Sequence, residues 1–457
     1  MMRVAVWGLA IGLLGGGGMA RANSLLDAYH AAQHSDAVLE SAAAARDAAV
    51  EAKPQARALL LPTLTANAAA EQQHYVLYDT ERSTADADGE THWSGTGVDK
   101  SVSLDLTQPL WSVESFQKLR QASVQVAEAE AQYRDAEQSL ILRVAEAYFA
   151  VLSAADNLSA NRLERQAYGA LVDQAQKKLQ TGLGARIGVE EAQAFHSLTA
   201  QSVSDAELAL FDARRALEQI TGRPLPLTPL RDEIPLASPQ PSNADEWLAA
   251  AREQNYAVQA AELAMEAARR GISVVRGRYW PSISLQGSVG RSYQPMELGN
   301  DERLDSIGVV AQWPIFQGGL VRSQSREAQA QYRQAQADYT ARLRQAERDT
   351  LAAYRGVLGG IHTIRAARLA VQANRMAIEA SKNGVEAGTR TEFDLLNAQN
   401  NYYAALRAYY QSRYDYLTNS LKLKAQAGRL GEADLAAVDA VLAVDGTTVS
   451  MPAEPAP

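Results

Sequence analysis

The placement of proline constrains this chain more than any other feature. No proline lies between Pro109 and Pro224, and none lies between Pro314 and Pro452. Because proline breaks the interior of a helix, these two stretches are the parts of the chain that can form very long helices. Between them, the sequence TGRPLPLTPLRDEIPLASPQPSN carries a cluster of prolines. It predicts an irregular connector between two halves.

Apolar and small residues recur at steps of three and four in the first stretch. The residues of this seam are Ile141, Val144, Tyr148, Val151, Ala155 and Leu158. Such spacing is typical of a coiled coil. We predict one helix from about Ser112 to Gln180, which at 1.5 Å per residue is roughly 100 Å long. The second stretch predicts an equivalent helix from about Leu320 to Ala387.

The two halves also repeat one another. From Tyr148 onward, equivalent residues are separated by a constant 206 positions, as Tyr148 and Tyr354 are (354 − 148 = 206). Gly182 and Gly388 share this offset, and each lies where the helical pattern breaks. One register held over such a length indicates an internal duplication. We expect each half to contain two helices joined by a glycine turn, because glycine adopts the positive φ of a tight reversal.

The first residues are typical of a secretory signal peptide. A short basic start precedes an apolar, glycine-rich stretch and an A-x-A pattern that ends at Ala22. The repeats and the connector then set the other boundaries. The predicted segments are the signal peptide (1–22), the first repeat (23–223), the proline-rich linker (224–242), the second repeat (243–430) and a C-terminal segment with a flexible tail (431–457).

Each repeat also contains two candidate strands ahead of its long helix. They span about 62–75 and 99–110 in the first repeat, and about 280–293 and 304–316 in the second. Apolar and polar residues alternate in them, as in SVSLDLTQ and PSISLQGSVG. This pattern fits a strand between lipid and a watery lumen, and it fits a half-buried strand of a soluble sheet equally well. Four strands cannot close a barrel, so a membrane-spanning version requires several copies.

Composition excludes several classes of function. The net charge of −9 disfavours a nucleic-acid partner, and the absence of cysteine excludes thiol catalysis. His30 and His34 have a spacing that can hold a metal, but no third ligand is evident beside them. No phosphate loop, nucleophile elbow or HExxH motif is present. We therefore expect neither an enzyme nor a cofactor.

Three segments carry a resemblance to a known family. They are WPIFQGGLVRSQ from Trp313, GTRTEFDLLNAQ from Gly388 and SRYDYLTNSLKLKAQAG from Ser412. In these segments the chain resembles the TolC family of outer-membrane exit ducts of Gram-negative bacteria. The resemblance implies a mixed, mainly α fold: a long coiled-coil α-helical barrel, and four strands per protomer contributing to a 12-stranded transmembrane β-barrel shared by three protomers. It places the protein in the outer membrane, extending into the periplasm.

The resemblance also implies how the protein works. It would be a passive channel-tunnel of tripartite efflux and/or type I secretion systems, gated at its periplasmic tip. The implied partners are two further copies in a homotrimer, a periplasmic adaptor (membrane fusion) protein, an inner-membrane ABC or proton-driven pump, and outer-membrane lipid. The alternative from the pattern alone is a soluble periplasmic coiled-coil scaffold or adaptor.

Two groups of site residues follow from the resemblance. Turn residues predicted to contact the adaptor are Gly182, Leu183, Gly388 and Thr389. The alternative is that they are ordinary turn residues, because turn chemistry alone explains the glycines.

The second group is the predicted gate. Asp394 aligns with a lumenal acidic position whose three copies would form an anionic ring, open to block by divalent cations. Asn397 stands where a second aspartate is common, and Arg390 matches a gate arginine. Val385 and Gly188 depart from the tyrosine and aspartate usual in the family. The alternative for Asp394 is a solvated charge on a helix face.

Overall fold

The computed structural model describes residues 24–78, 92–294 and 300–442. The predicted signal peptide, the C-terminal tail and most of the first hairpin loop lie outside the described residues. The helices are α1 Leu25–Ser35, α2 Ala37–Val50, α3 Ala52–Ala58, α4 Val113–Gln180, α5 Arg186–Thr221, α6 Ala244–Gln254, α7 Tyr256–Gly277, α8 Leu320–Glu386, α9 Glu392–Gln426 and α10 Glu432–Asp439. The strands are β1 Thr63–Tyr78, β2 His92–Trp111, β3 Ser282–Gln294 and β4 Asn300–Gln312.

The predicted fold class, mainly helical with four strands, is confirmed. The long helices begin and end within a residue of the expected positions. The strand ends differ more. The first hairpin extends well past the predicted ends, to Tyr78 and back from His92. The last strand was expected to reach residue 316 but ends at Gln312. Pro314 explains this end, because proline has no N–H to donate to the neighbouring strand.

The described chain divides into two compact units. The helical unit contains residues 24–40, 136–255 and 346–442, and its core forms around the predicted seam. Ile141, Val144, Tyr148, Val151 and Leu158 are all buried. Among the described helices, α4 has one 18-residue window with a mean hydropathy of 1.2, enough by composition to cross a membrane. Of that window, 44% is buried inside the chain.

The duplication is visible in equivalent contacts of the helical unit. Gly222, after α5, lies against Ser35, and a Cβ at this glycine would clash with the serine hydroxyl. Gly428, which occupies the equivalent position after α9, lies against Gln254. Both glycines have positive φ, 71° and 66°. Each repeat therefore ends its returning helix with the same left-handed residue packed against the end of a short helix from the same repeat.

The linker is fixed to the helical unit by tyrosines and an arginine. The Tyr148 hydroxyl donates to the Thr228 carbonyl (3.1 Å), and the Tyr416 hydroxyl donates to the Ala237 carbonyl (2.9 Å). The Arg413 guanidinium, almost fully buried, donates to two linker carbonyls and to the carboxylate of Asp156. Burial raises the pKa of Asp156, while its bonds to Tyr414 and Arg413 oppose that shift. These contacts make the linker an ordered part of the unit.

The sheet unit contains residues 41–135 and 256–345 and is built on one four-stranded antiparallel sheet in the order β1-β2-β3-β4. The register places two sets of residues on opposite faces. The apolar face carries Leu64, Ala66, Ala68, Ala70, Val102, Leu104, Leu106, Leu285, Val289, Ile307 and Val309. The opposite face carries Thr65, Asn67, Ser103, Asp105, Ser284, Gln286, Ser288 and Ser306.

Both faces are exposed in the single chain. On the apolar face, Ile307 is 79% and Leu64 64% exposed. On the polar face, the Asp105 carboxylate accepts hydrogen bonds from Asn67, Ser103 and Ser288, which links three strands. A sheet with one apolar and one hydrogen-bonded polar face suits a wall between lipid and water. The outer edges of β1 and β4 are left unpaired by this sheet order, and lipid does not tolerate such edges.

Candidate functional site: the two turns between the long helices

Two turns join the paired long helices, and their backbones are equivalent. The first turn (181–185) joins α4 to α5, and the second turn (387–391) joins α8 to α9. In the first, the N–H groups of Leu183 and Gly184 both donate to the Lys178 carbonyl (2.9 and 3.0 Å). In the second, the N–H groups of Thr389 and Arg390 both donate to the Gly384 carbonyl (2.8 and 3.1 Å). This bonding satisfies carbonyl groups that the end of a helix leaves unpaired.

The predicted adaptor-contact residues lie at the tips of these turns. Gly182 and Gly388 have φ of 72° and 73°, the left-handed conformation that favours glycine. No atom lies within 4 Å of a Cβ built at either glycine, so both tips are open. Leu183 is 83% exposed, and Thr389 is exposed as well. The four residues are therefore accessible, and an exposed leucine at a tip has no packing role within the chain.

Arg390 crosses its own turn. Its side chain lies over Gly384, and Nη1 donates to the hydroxyl of Ser381 at 2.6 Å. A Cβ at Gly384 would lie 2.9 Å from the Arg390 Cγ, so the glycine makes room for the arginine. The predicted gate arginine is thus bonded to the helix that precedes it, and the guanidinium stays exposed.

Asp394 lies in the first turn of α9, where it forms a capping box with Thr391. The Thr391 N–H and hydroxyl both donate to Asp394 Oδ2 (2.9 and 2.7 Å), and the Asp394 N–H donates back to Thr391 Oγ1 (3.1 Å). These bonds from Thr391, assisted by the nearby Arg390 charge, lower the pKa of Asp394. The side chain is exposed and ionised at neutral pH. Asn397, one turn further, donates to the Phe393 carbonyl (3.0 Å).

The sequence reasoning missed an ion pair that connects the two helix pairs. Lys178, near the end of α4, binds Glu392, the first residue of α9, at 2.8 Å. Glu392 lies directly over Gly188 of α5, where a Cβ would come within 2.6 Å of its Oε2. The 206-residue offset could have indicated this contact, because it makes Gly188 the equivalent of Asp394 (394 − 188 = 206). A glycine in place of a charged residue in a long helix indicates a close neighbour.

A small apolar cluster lies beside this ion pair. Tyr168, Ala192 and Leu396 are buried, and the Tyr168 hydroxyl donates to the Leu396 carbonyl at 3.3 Å. Burial raises the pKa of Tyr168 well above its usual range. The cluster and the Lys178–Glu392 pair hold α4 and α5 against the start of α9. Three helix ends are thereby tied together near the two turns.

The arrangement offers binding and gating chemistry. No group of three or more His, Asp or Glu side chains that could hold a metal occurs within 24–78, 92–294 and 300–442. A ring at Asp394 would need copies from other chains. What one chain supplies is an exposed, ionised carboxylate fixed at a helix start, two open turns and an ion pair that crosses between helix pairs.

Comparison with known proteins identifies the family. A family model described as "Outer membrane efflux protein" matches residues 28–223 and 247–429. The Outer membrane protein TolC of Vibrio cholerae is 33% identical over 432 residues, covering 93% of this chain and 94% of that protein. The alkaline protease secretion protein AprF of Pseudomonas aeruginosa is 28% identical over 426 residues, covering 91% and 86%. Among solved structures, CusC aligns with a TM-score of 0.76 at 18% identity, covering 90% of this chain and 93% of that one.

These matches span both repeats, which the family model treats as two matched stretches separated by the linker. Members of the family are channels rather than enzymes. A soluble periplasmic scaffold, the alternative reading of the sequence, does not agree with relatives named as outer membrane proteins. The chain belongs to the outer membrane efflux protein family and forms an outer-membrane exit duct.

Proposed function

We propose that three copies of this chain form the outer component of tripartite export machines, and that the two turns of each copy form a gated, adaptor-binding periplasmic tip. The observation that carries the proposal is the two-faced sheet with unpaired outer edges. Joining the β4 edge of one copy to the β1 edge of the next removes both edges. Three copies then give twelve strands, with the apolar faces toward lipid and the polar faces toward the lumen.

The gate is proposed to consist of Asp394, Asn397 and Arg390. Asp394 is suited to this role because its capping-box bonds fix the carboxylate and keep it ionised. Three such carboxylates around a narrow lumen would attract cations and bind divalent ions between them. Asn397 adds a neutral amide one turn further along the same helix, so a second anionic ring is not expected. Arg390 would hold α8 against the turn through Ser381.

The tips are proposed to meet the adaptor protein. Gly182 and Gly388 leave the turn backbones open, and Leu183 and Thr389 project side chains there. An adaptor helix can bury a leucine that its own chain leaves exposed. Cross-linking from residues 183 and 389 to the adaptor in intact cells tests this contact. Consistent failure at both positions would exclude tip docking.

The partners and cargo follow the family and its relatives. A relative named for alkaline protease secretion suggests export of proteins with an ABC pump, and the family description suggests efflux. The same passive duct serves an ABC or a proton-driven pump, because energy enters at the inner membrane. The channel is proposed to have no catalytic activity and to need no cofactor.

Single-channel recording of the purified protein tests pore, oligomer and gate together. The wild-type protein is expected to conduct ions and to be blocked by divalent cations added at the turn side. Asp394→Ala should raise the blocking concentration about tenfold or more, since one ion-binding carboxylate is lost from each copy. Glu379→Ala, which removes another exposed carboxylate from α8, is the matched control and should leave the block unchanged.

Two outcomes would contradict the proposal. A protein that conducts nothing and is released with the soluble periplasm is not an outer-membrane duct. A duct whose divalent block is identical in Asp394→Ala and wild type has its gate elsewhere. The oligomer is checked separately, because a trimer should migrate at three times the protomer mass before heating.

A further inference from the structure

The apolar face of the sheet carries charged residues at one end only. Arg291 of β3 and Arg303 of β4 are direct cross-strand partners on this face. Lys100 of β2 lies on the same face, opposite Tyr293. All three cations lie level with the hairpin end of β3 and β4, although β2 continues eight residues beyond Lys100 to His92, and the arginine side chains are 72% and 73% exposed. Asp301 and Asp305 lie on the same face and each pairs with one arginine, so the three cations and two aspartates together carry a net charge of +1.

The position of these cations matches the edge of a membrane. From Ile283 to Val289 the apolar face of β3 is about 20 Å long at roughly 3.3 Å per residue, close to the apolar band of about 25 Å in outer-membrane barrels. Arg291 follows directly above this band, and Tyr293 one step further. A cation on the lipid face is costly at the middle of a bilayer but tolerated at its surface. The cations therefore lie at the depth of lipid headgroups.

The two arginines keep unused hydrogen-bond donors. Arg291 binds Asp301 through Nε and Nη2, and Arg303 binds Asp305 through the same two nitrogens. Within the described residues, Nη1 of each arginine has no partner, and neither has the Lys100 ammonium. Each aspartate therefore occupies one edge of its guanidinium group and leaves the Nη1 edge open, and exposed ion pairs of this kind contribute little. Guanidinium and ammonium groups with free donors suit a phosphate.

We propose that Arg291, Arg303 and Lys100 form a binding site for the phosphate of an outer-leaflet lipid, whose acyl chains lie along the apolar face below. The proposal commits to a phosphorylated glycolipid of the outer leaflet. Two observations favour it over a free anion: the cations adjoin a lipid-facing apolar band, and they stand at the hairpin end, opposite the end that leads into the helices. The site rests on the proposed placement of that hairpin end toward the outside.

Native mass spectrometry of the detergent-purified full-length protein tests the site. The probes are hexa-acylated diphosphoryl lipid A, the same lipid with its phosphates removed, and inorganic phosphate. Wild type is expected to bind the phosphorylated lipid at least tenfold more tightly than the dephosphorylated lipid. The triple variant Arg291→Gln, Arg303→Gln, Lys100→Gln should lose that preference. Lys53→Gln, which removes an exposed cation from α3, is the matched control and should keep it.

Other results would overturn the proposal. Equal binding of both lipids by wild type, or an unchanged preference in the triple variant, would exclude a phosphate site. Displacement of the lipid by millimolar inorganic phosphate would show an anion site without lipid selectivity. If the triple variant fails to assemble, Arg303→Gln alone should reduce the preference severalfold. Conductance is measured on the same samples, so a lipid result cannot be confused with failure of the duct itself.

Discussion

The first and second turns have the same backbone but are stabilised in different ways. Each uses a positive-φ glycine and two N–H groups that share one carbonyl. The helix after the second turn has its own cap, in which Thr391 and Asp394 exchange hydrogen bonds. The helix after the first turn has Ala185 as its N-cap residue, which makes no side-chain hydrogen bond to the helix. The duplication kept the fold of the turn while the side chains that support it diverged.

A residue of the second helix pair takes the place of the cap that the first turn lacks. The residue equivalent to Asp394 in the first turn is Gly188, and the space above this glycine holds Glu392 from the second helix pair. Glu392 in turn binds Lys178, at the end of the helix that enters the first turn. The second turn is therefore stabilised by its own residues, Thr391 and Asp394. The first turn is stabilised instead by Glu392, which belongs to the other helix pair. Mutations of the two turns should separate these two situations.

Replacing the turn glycines is expected to have the largest effect. A residue with a Cβ costs roughly 1–2 kcal/mol in the left-handed conformation. Gly182→Ala and Gly388→Ala should therefore each speed amide exchange in their turn by about fivefold to thirtyfold, because 1.4 kcal/mol is a factor of ten. The two effects should be equal, since neither site has a neighbour within 4 Å. Hydrogen exchange with mass spectrometry measures both.

The control for this comparison is a glycine in a helix interior. Gly359 of α8 also has no neighbour within 4 Å, but its φ is not positive. Gly359→Ala should slow exchange slightly, since alanine is favoured over glycine by about 1 kcal/mol in a helix. Slowing at Gly388→Ala as well would show that the left-handed conformation does not limit the turn.

Removing the cap should distinguish the two turns directly. Thr391→Ala deletes the oxygen that accepts from the Asp394 N–H, and loss of an N-cap costs about 1 kcal/mol. Exchange at the start of α9 should rise about fivefold. Ala185→Thr, the reciprocal change, should slow exchange at the start of α5 by a smaller factor, because Gly188 provides no carboxylate to complete the box. If Ala185→Thr slows exchange by the same factor by which Thr391→Ala speeds it, the Asp394 carboxylate adds nothing to the stability of the cap.

Much of this arrangement could be read from the sequence because it is encoded locally. The two proline-free stretches predicted the long helices α4 and α8, and the glycines that interrupt the helical pattern predicted both turns. The capping box was also visible as Thr391 three residues before Asp394, directly after a turn. We interpreted Asp394 as a gate residue, with a solvated helix charge as the alternative, and missed its role in the cap. The roles proposed for Asp394, Asn397 and Arg390 stay predictions.

The remaining features depend on contacts between distant segments. Lys178 and Glu392 are 214 residues apart, and nothing in either helix marks them as partners. The first hairpin extends to His92 because its strands pair with each other, although GTG within it reads as a loop. The cluster at Lys100, Arg291 and Arg303 appears only when the register of three strands is known. Pairing across the chain, not local preference, decides these features.

Breaking the ion pair between Lys178 and Glu392 should have a smaller effect than removing the cap. Lys178 and Glu392 are about one-third exposed, so a double-mutant cycle with alanine should give a coupling of about 0.5 kcal/mol. In a Gly188→Ala background the coupling should vanish, because the new Cβ displaces Glu392. Gly271→Ala in α7, against the flexible end of Gln121, is the matched control and should leave the coupling intact. A coupling that survives Gly188→Ala would show that the glycine is not what positions Glu392.

The smallest expected effect is the response of the two turns to acid. The lowered pKa of Asp394 means that its ionised form is stabilised in the folded protein. Its contribution is therefore present above the unfolded pKa, about 3.9, and is lost as pH falls through the lower folded value. Exchange at the start of α9, corrected for the intrinsic rate, should accelerate only below about pH 4. The start of α5 should respond less, since its N-cap residue Ala185 has no side-chain bond to lose and the Glu392 carboxylate reaches it only from the other helix pair. In Asp394→Asn the α9 response should disappear, because an amide does not titrate. An identical acid response in both turns, or one that persists in Asp394→Asn, would mean that the second turn does not owe its stability to its own carboxylate, and the contrast between the turns would fail.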